Sequence, residues 1–277
     1  MRKVLTIAGS DSSAGAGLQA DLKTLAAMRV YGLSVVTAVT AQNTVGVTGI
    51  HPIPPEFVGR QIDAVFEDIP IDAVKTGMLA TSEIVETVSE KLKYFQVSTV
   101  VVDPVMVATS GDMLTSDSIG RLIWTIRNPL LPIAAVVTPN IPEAEILTGR
   151  EIRSVDDMKA AAADLQGIGV SNVVIKGGHL AGTESVDLLF DGSEFIEYRN
   201  IRLATNNTHG TGCTFAAALA AGLAKGRTVR EAVGDAKQFV YTALQYGLAL
   251  GRGRGPVHHF AGLYGLIDVG DNTPSNP

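Results

Sequence analysis

The sequence predicts an α/β fold, a mostly parallel sheet covered on both faces by helices. Short β-branched apolar runs alternate along the chain with segments of helical period, and runs such as Thr99 to Val102 are β-branched throughout and carry no charge, as strands buried on both faces require. Polar residues also cluster just after the strand ends: Asp11, Gln42, Gly77-Met78, Asp103, Asn140 with Glu143, and Lys176. In folds of this kind ligands sit beyond the carboxyl ends of the strands. Unrelated surface residues would have no reason to converge there.

Each element follows from local pattern. Val4 to Ala8 reads as a buried strand, Gly9 to Gly17 as a loop, and Leu18 to Met28 as a helix with Leu18, Leu22 and Leu25 on one face. Ser34 to Ala41 is a second strand, Gln42 to Gly49 a glycine-punctuated loop that could close over a ligand, and Pro55 begins a helix. Ala73 to Thr76 is a short strand, followed by a helix repeating Ile84, Val85, Val88, Leu92 and Phe95. The alternation continues with the Thr99 to Val102 strand, a helix near Ile119 to Ile126, a strand Ala134 to Val137, a helix near Ser154 to Gln166 and a strand Val173 to Ile175. Val186 to Phe190 and Phe195 to Tyr198 flank Asp191-Gly192 as a hairpin. Helices Phe215 to Ala224 and Val229 to Leu248 close the pattern. Residues 1–268 read as one domain, and 269–277 as a polar tail, expected to be disordered.

Composition bounds the function. With 277 residues, 46% hydrophobic, the chain can bury a large core, and its net charge of −6 gives no basic field for nucleic acid or an anionic membrane. The single cysteine excludes an internal disulfide and a cysteine-based zinc site, which fits a cytoplasmic setting. No apolar run approaches the roughly 18 residues of a membrane span, and Val4 to Ala8 is too short for the core of a signal peptide.

The stretch with most chemistry is Asn207 to Thr214. A glycine-rich turn that runs straight into a helix leaves backbone N–H groups of Gly210, Thr211, Gly212 and Cys213 pointing outward, with the positive end of the helix dipole behind them. That is a socket for an anion, and Cys213 stands where a helix N-terminus is expected to lower a thiol pKa. The same glycines could instead serve helix packing, with Cys213 an inert small hydrophobe. Gly15-Ala16-Gly17-Leu18-Gln19-Ala20 formally matches a dinucleotide fingerprint, but Thr40-Ala41-Gln42 holds no acid for a ribose, so the loop reads better as the lining of a small-molecule pocket. Asn140 and Glu143 suit water-mediated Mg²⁺ near a phosphate, or a capping box at a helix start. Asp103 could orient metal-bound water or only close a turn. Lys176 could neutralise a transferred phosphate, Lys237 could do so or be a solvated helix charge, and Gln42 could read the edge of a heterocycle.

Taken together, these residues resemble the ribokinase-like superfamily and, within it, the hydroxymethylpyrimidine/phosphomethylpyrimidine kinases. The resemblance rests on Thr6-Ile7-Ala8-Gly9-Ser10-Asp11, Gly15 to Lys23, Ala41-Gln42-Asn43-Thr44, Lys75-Thr76-Gly77-Met78-Leu79, Asp103-Pro104-Val105-Met106, Thr138-Pro139-Asn140 with Glu143, Lys176-Gly177-Gly178-His179, His209 to Thr214 and Gly255 to His259. It implies a three-layer α/β/α sandwich and transfer of the ATP γ-phosphoryl group to 4-amino-5-hydroxymethyl-2-methylpyrimidine and then to its monophosphate. It implies Gln42, Gly9, Asp11, Ala16, Met78 and Val105 around the pyrimidine, with Asn140, Lys176 and Lys237 toward ATP. Asp103 and Glu143 would act on Mg²⁺ through water, and Gly210 to Cys213 with Lys176 would do the chemistry. A homodimer is also implied. Pyridoxine or pyridoxal kinase of the same cysteine-bearing type is the near alternative, and a non-catalytic pyrimidine-binding domain the distant one.

Overall fold

The computed structural model describes residues 1–106, 111, 114, 115 and 117–264. The polar segment 269–277 lies outside the described residues. Among the described residues nine strands form one sheet: β1 (Lys3–Asp11), β2 (Tyr31–Gln42), β3 (Val47–Pro52), β4 (Ala73–Thr76), β5 (Val100–Val102), β6 (Val136–Val137), β7 (Asn172–Ile175), β8 (Glu184–Phe190) and β9 (Phe195–Ile201). Their order is β3-β2-β1-β4-β5-β6-β7-β8-β9. The six central strands, β2 through β7 in space, are parallel, whereas β3, β8 and β9 run antiparallel at the edges. The chain leaves β1 toward β2 and later returns to pair β4 on its other side, so the strand order reverses at β1. Such a reversal opens a crevice at the carboxyl ends.

One expectation fails here. The segment 42–49, read as a loop, instead turns at Asn43 to Gly46 into β3, which pairs Ile50 with Thr40 and Val47 with Gln42. Gly46 and Gly49 mask a half-exposed edge strand whose two partly buried apolar residues, Val47 and Ile50, stand three apart across a register shift, so no period-two alternation shows in the sequence.

Helices α1 (Gly17–Ala27), α7 (Thr211–Ala224) and α8 (Val229–Gln245) cover one face. Helices α2 (Pro55–Phe66), α3 (Ser82–Tyr94), α4 (Ile119–Thr125), α5 (Ile141–Thr148) and α6 (Val155–Gln166) cover the other. Strand parity sorts the core between them. Leu5, Ile7, Val74, Val100, Val102, Val173 and Ile175 face α2 to α6, while Val4, Ala73, Val101, Val136 and Val174 face α1, α7 and α8. Because successive side chains alternate, the same parity directs Thr6 and Lys75 toward α1 and α7. It carries on into Asp103 and Lys176 just past their strands. Charged residues in otherwise apolar strands therefore share one face.

Candidate active site

The carboxyl ends of the central strands open into one cavity of about 610 Å³, lined among others by Gly9, Gln42, Met78, Asp103, Asn140, Lys176 and Gly212. Its size falls within the roughly 300–1,000 Å³ of small-molecule sites.

The N-terminus of α7 forms the cavity floor. Gly210 precedes the helix at φ +81 and no side chain caps it; Thr211 donates its amide to the Thr208 carbonyl at 3.4 Å, and the Gly212 and Cys213 amides that follow face the ligand space. A side chain at Gly210 would overlap the carbonyl oxygen of Gly15, which is why the turn needs glycine. Across the floor, a Cβ placed on Gly212 would stand 3.2 Å from Lys176 Nζ and 3.7 Å from Asp103 Oδ2. Lys176 donates to Asp103 Oδ1 at 2.7 Å, and Thr138 donates to the same oxygen at 3.2 Å. Asp103 Oδ2 is buried without a hydrogen-bond partner, an unmet acceptor of the kind that water, a cation or a donor from a ligand must satisfy. Burial works against the Lys176 ammonium, but Asp103 and then Glu143 outweigh it and raise its pKa. The lysine stays charged.

Asn140 and Glu143 do form the capping box: Asn140 Oδ1 accepts from the Glu143 amide at 2.9 Å and Glu143 Oε2 accepts from the Asn140 amide at 2.8 Å. Glu143 is nevertheless buried beside the charged pair. Burial lifts its carboxyl to about 7, Lys176 opposes that rise and Asp103 adds to it. A carboxyl whose folded pKa exceeds its unfolded value binds more protons in the folded state, so stability falls as pH rises from about 4.5 through 7. Glu143→Gln keeps a capping side chain at this position and is expected to stabilise the nucleotide-free protein above pH 7 on the order of 2 kcal/mol. Thermal unfolding of both proteins at pH 5 and pH 8 checks this; an unchanged or lower stability of the variant at pH 8 would refute it.

Three residues correct the sequence reading. Burial pushes the Cys213 thiol up to about 11, and the Lys75 charge and a hydrogen bond from the Gly17 amide only partly offset that. The helix N-terminus does not make it a resting thiolate. Lys237 is not a solvated helix charge: it is buried at the cavity, pairs with Asp187 at 3.0 Å and donates to the Ser185 carbonyl at 3.0 Å. Asp11 is likewise committed, accepting from Ser13, from the Gly15 and Ala16 amides and from His209 at 2.8 Å. Burial would raise its carboxyl, but these bonds, His209 first, outweigh it and hold it below the ordinary range. Asp11 shapes the loop that carries Ala16.

Gln42 also lines the cavity, its Oε1 accepting from Thr40 at 3.0 Å, which leaves its NH₂ group as the donor for a ligand. Gly9, Ala16, Met78 and Val105 line the same cavity. The site also includes residues not singled out as ligand-facing in the sequence: His179, Asp187, Arg202, His209 and Arg254. Asp187 and His209 had a legible signal, a charge within an apolar strand and a histidine beside the anion socket. Arg202 and Arg254 had none: Arg202 follows directly on the edge strand β9 and Arg254 lies in a loop. Arg202 donates to the carbonyls of Gly178, Leu180, Gly182 and Glu184, and the backbone of Arg254 is held by Thr44 at 2.9 Å.

Among the described residues no group of three or more His, Cys, Asp or Glu side chains stands at metal-binding spacing. No helix there is long and apolar enough to cross a membrane.

Comparison with known proteins agrees with this geometry. The family model described as phosphomethylpyrimidine kinase matches residues 11–258. The hydroxymethylpyrimidine/phosphomethylpyrimidine kinase of Bacillus subtilis is 49% identical over 260 residues, covering 94% of this chain and 95% of that protein. The thiamine biosynthesis bifunctional protein ThiED of Geobacter sulfurreducens is 52% identical over 256 residues, 92% of this chain; the chain spans about half of that relative's length, 52%. Among solved structures, a pyridoxal kinase from Staphylococcus aureus in complex with AMP-PCP and pyridoxal superposes with TM-score 0.86 at 39% identity, covering 94% of each chain. A phosphomethylpyrimidine kinase from Clostridium difficile gives 0.77 at 43% identity, covering 87% of this chain and 98% of that one. With the sheet, the anion socket and the match over most of its length in agreement, the chain belongs to the phosphomethylpyrimidine kinase family.

Proposed function

We propose that this chain transfers the ATP γ-phosphoryl group to the hydroxymethyl oxygen of 4-amino-5-hydroxymethyl-2-methylpyrimidine, and then a second one to the resulting monophosphate. The observation that carries this is the uncapped start of α7 lying opposite the Lys176–Asp103 pair in one cavity. Phosphoryl transfer asks mainly for positioning and for stabilisation of charge on the transferred group. The open amides and Lys176 supply both. Asn140 stands beside Lys176 on the nucleotide side, and the free amide of Gln42 would read a ring nitrogen of the pyrimidine. Asp103, with its unmet buried oxygen, and Glu143 would hold Mg²⁺ through water; when bound, that ion would neutralise charge between the phosphates. A cytoplasmic homodimer completes this reading.

The first alcohol must lose a proton, whereas a monophosphate is already anionic. With its thiol at about 11, Cys213 would accept that proton only as the oxygen attacks, not beforehand. Cys213→Ala is therefore expected to slow the first phosphorylation about tenfold or more and the second far less. Equal losses in both steps would assign the thiol a packing role.

The test of the whole reading is ADP released per limiting pyrimidine in excess ATP and Mg²⁺. Two equivalents are expected. One would restrict the enzyme to a single step. The higher TM-scores of the pyridoxal kinases favour a parallel reaction with pyridoxal, and turnover there with none on the pyrimidine would move the assignment to that substrate.

A further inference from the structure

Beneath the anion socket lies a pair of charges that the reaction above leaves unused. Lys75 on β4 and Asp21 on α1 are wholly buried, with Lys75 Nζ 2.8 Å from one carboxylate oxygen and 3.0 Å from the other. The Thr6 hydroxyl donates to the same carboxylate at 2.6 Å. Burial works against the Lys75 ammonium, yet Asp21 outweighs it and keeps the lysine charged. Burial lifts the Asp21 carboxyl, and Lys75 and Thr6 pull it back down only in part.

A buried ion pair is costly to desolvate, and well-packed apolar residues are often at least as stabilising. Its location suggests what else it does. Strand parity turns Thr6 and Lys75 toward α1 and α7, and Asp21 sits one turn beyond Gly17, where α1 begins. Gly210 packs against the Gly15 carbonyl, two residues before α1 begins. The start of α1 thus braces the start of α7 at the turn. The charges that act on Cys213 are Lys75 from β4, Asp21 from α1, Asp103 after β5 and Lys176 after β7; strand parity turns Lys75 to the face that α7 covers, and Lys176 and Asp103 lie against the neighbouring Gly212. Of these, the cations favour a thiolate and the carboxylates oppose it.

We propose that Lys75 and Asp21 are positioning residues for Cys213. Their pairing holds α1 against the anion socket, and the Lys75 ammonium is the buried countercharge to negative charge that develops on the sulfur. This rests on the reading of Cys213 as a participant in the first phosphorylation, but its test does not.

Cys213 is the chain's single cysteine, so its alkylation by iodoacetamide, followed by mass spectrometry on nucleotide-free protein from pH 7 to 10, reports one sulfur. Lys75→Met is expected to slow alkylation about tenfold at a given pH, one unit of pKa upward. Asp21→Asn removes the opposing acid and is expected to speed it. Opposite signs are the mark of a field acting on the sulfur; a change in the same direction in both variants, or none, overturns the proposal and leaves the pair a packing strut. Should Lys75→Met fail to fold, Asp21→Asn alone decides: slower or unchanged alkylation refutes the proposal. Urea-unfolded samples of each variant should react alike. An absence of ADP release in the kinase assay would refute the proposed reaction while leaving these rates to be read independently.

Discussion

Replacing Lys176 with methionine is expected to lower kcat by about 10²–10³, with a smaller rise in KM for ATP, because a preorganised cation matters most as charge shifts in the transition state. The side chain is fixed for this task. Its Nζ lies 2.7 Å from Asp103 Oδ1, and its backbone amide is held by the Pro139 carbonyl at 2.8 Å. The next residue is locked as well: Gly177 donates to Asp187 at 2.9 Å and its Cα faces the Val186 carbonyl too closely to admit a side chain. Asp187 is in turn held by Lys237, so Lys237 bears on the reaction through the strand end that carries Lys176. The variant would also leave Asp103 buried without its partner, at a cost of about 3–5 kcal/mol. Steady-state ADP release with thermal unfolding separates the two effects. A kcat within threefold of the parent would remove Lys176 from the transition state.

Gly210→Ala should be more damaging to the architecture and comparable in activity. The residue sits at φ +81, and its Cα faces the Gly15 carbonyl with no room for a methyl group. Strain of roughly 1–3 kcal/mol from the backbone alone adds to displacement of the Gly15 loop. A shift near 1 Å in the start of α7 costs about a hundredfold in rate when reacting groups must be aligned. Gly120→Ala is the control, since Gly120 lies in α4 with open space around its Cα. Loss of stability and kcat in the first variant and neither in the second is the expected result. Unchanged kcat in Gly210→Ala would mean the socket tolerates movement.

Local signals were enough for much of this protein. Thr99 to Val102 announces a strand buried on both faces, and Phe215 to Ala224 a helix entered through glycine, because periodicity and backbone freedom are properties of short stretches. Asn140 and Glu143 announce a cap for the same reason. What escaped was whatever depends on partners distant in the chain. The edge strand β3 exists because Thr40 and Gln42 offer it a neighbour, not because its own residues insist. Asp11 looked available to a substrate until His209, 198 positions away, occupied its carboxylate.

By itself the sequence determined the parallel α/β alternation, the anion socket ahead of Phe215 and the placing of polar residues at strand ends. Only the tertiary structure decided the ionisation of those residues. Cys213 has a helix N-terminus in its favour, yet withdrawal from water dominates its titration; Glu143 has a cap to make, yet it is lifted by burial beside Asp103. Lys75 gives no sign in the sequence that it will meet Asp21. Desolvation and charge pairing depend on which groups folding brings together in space, and no local pattern carries that information.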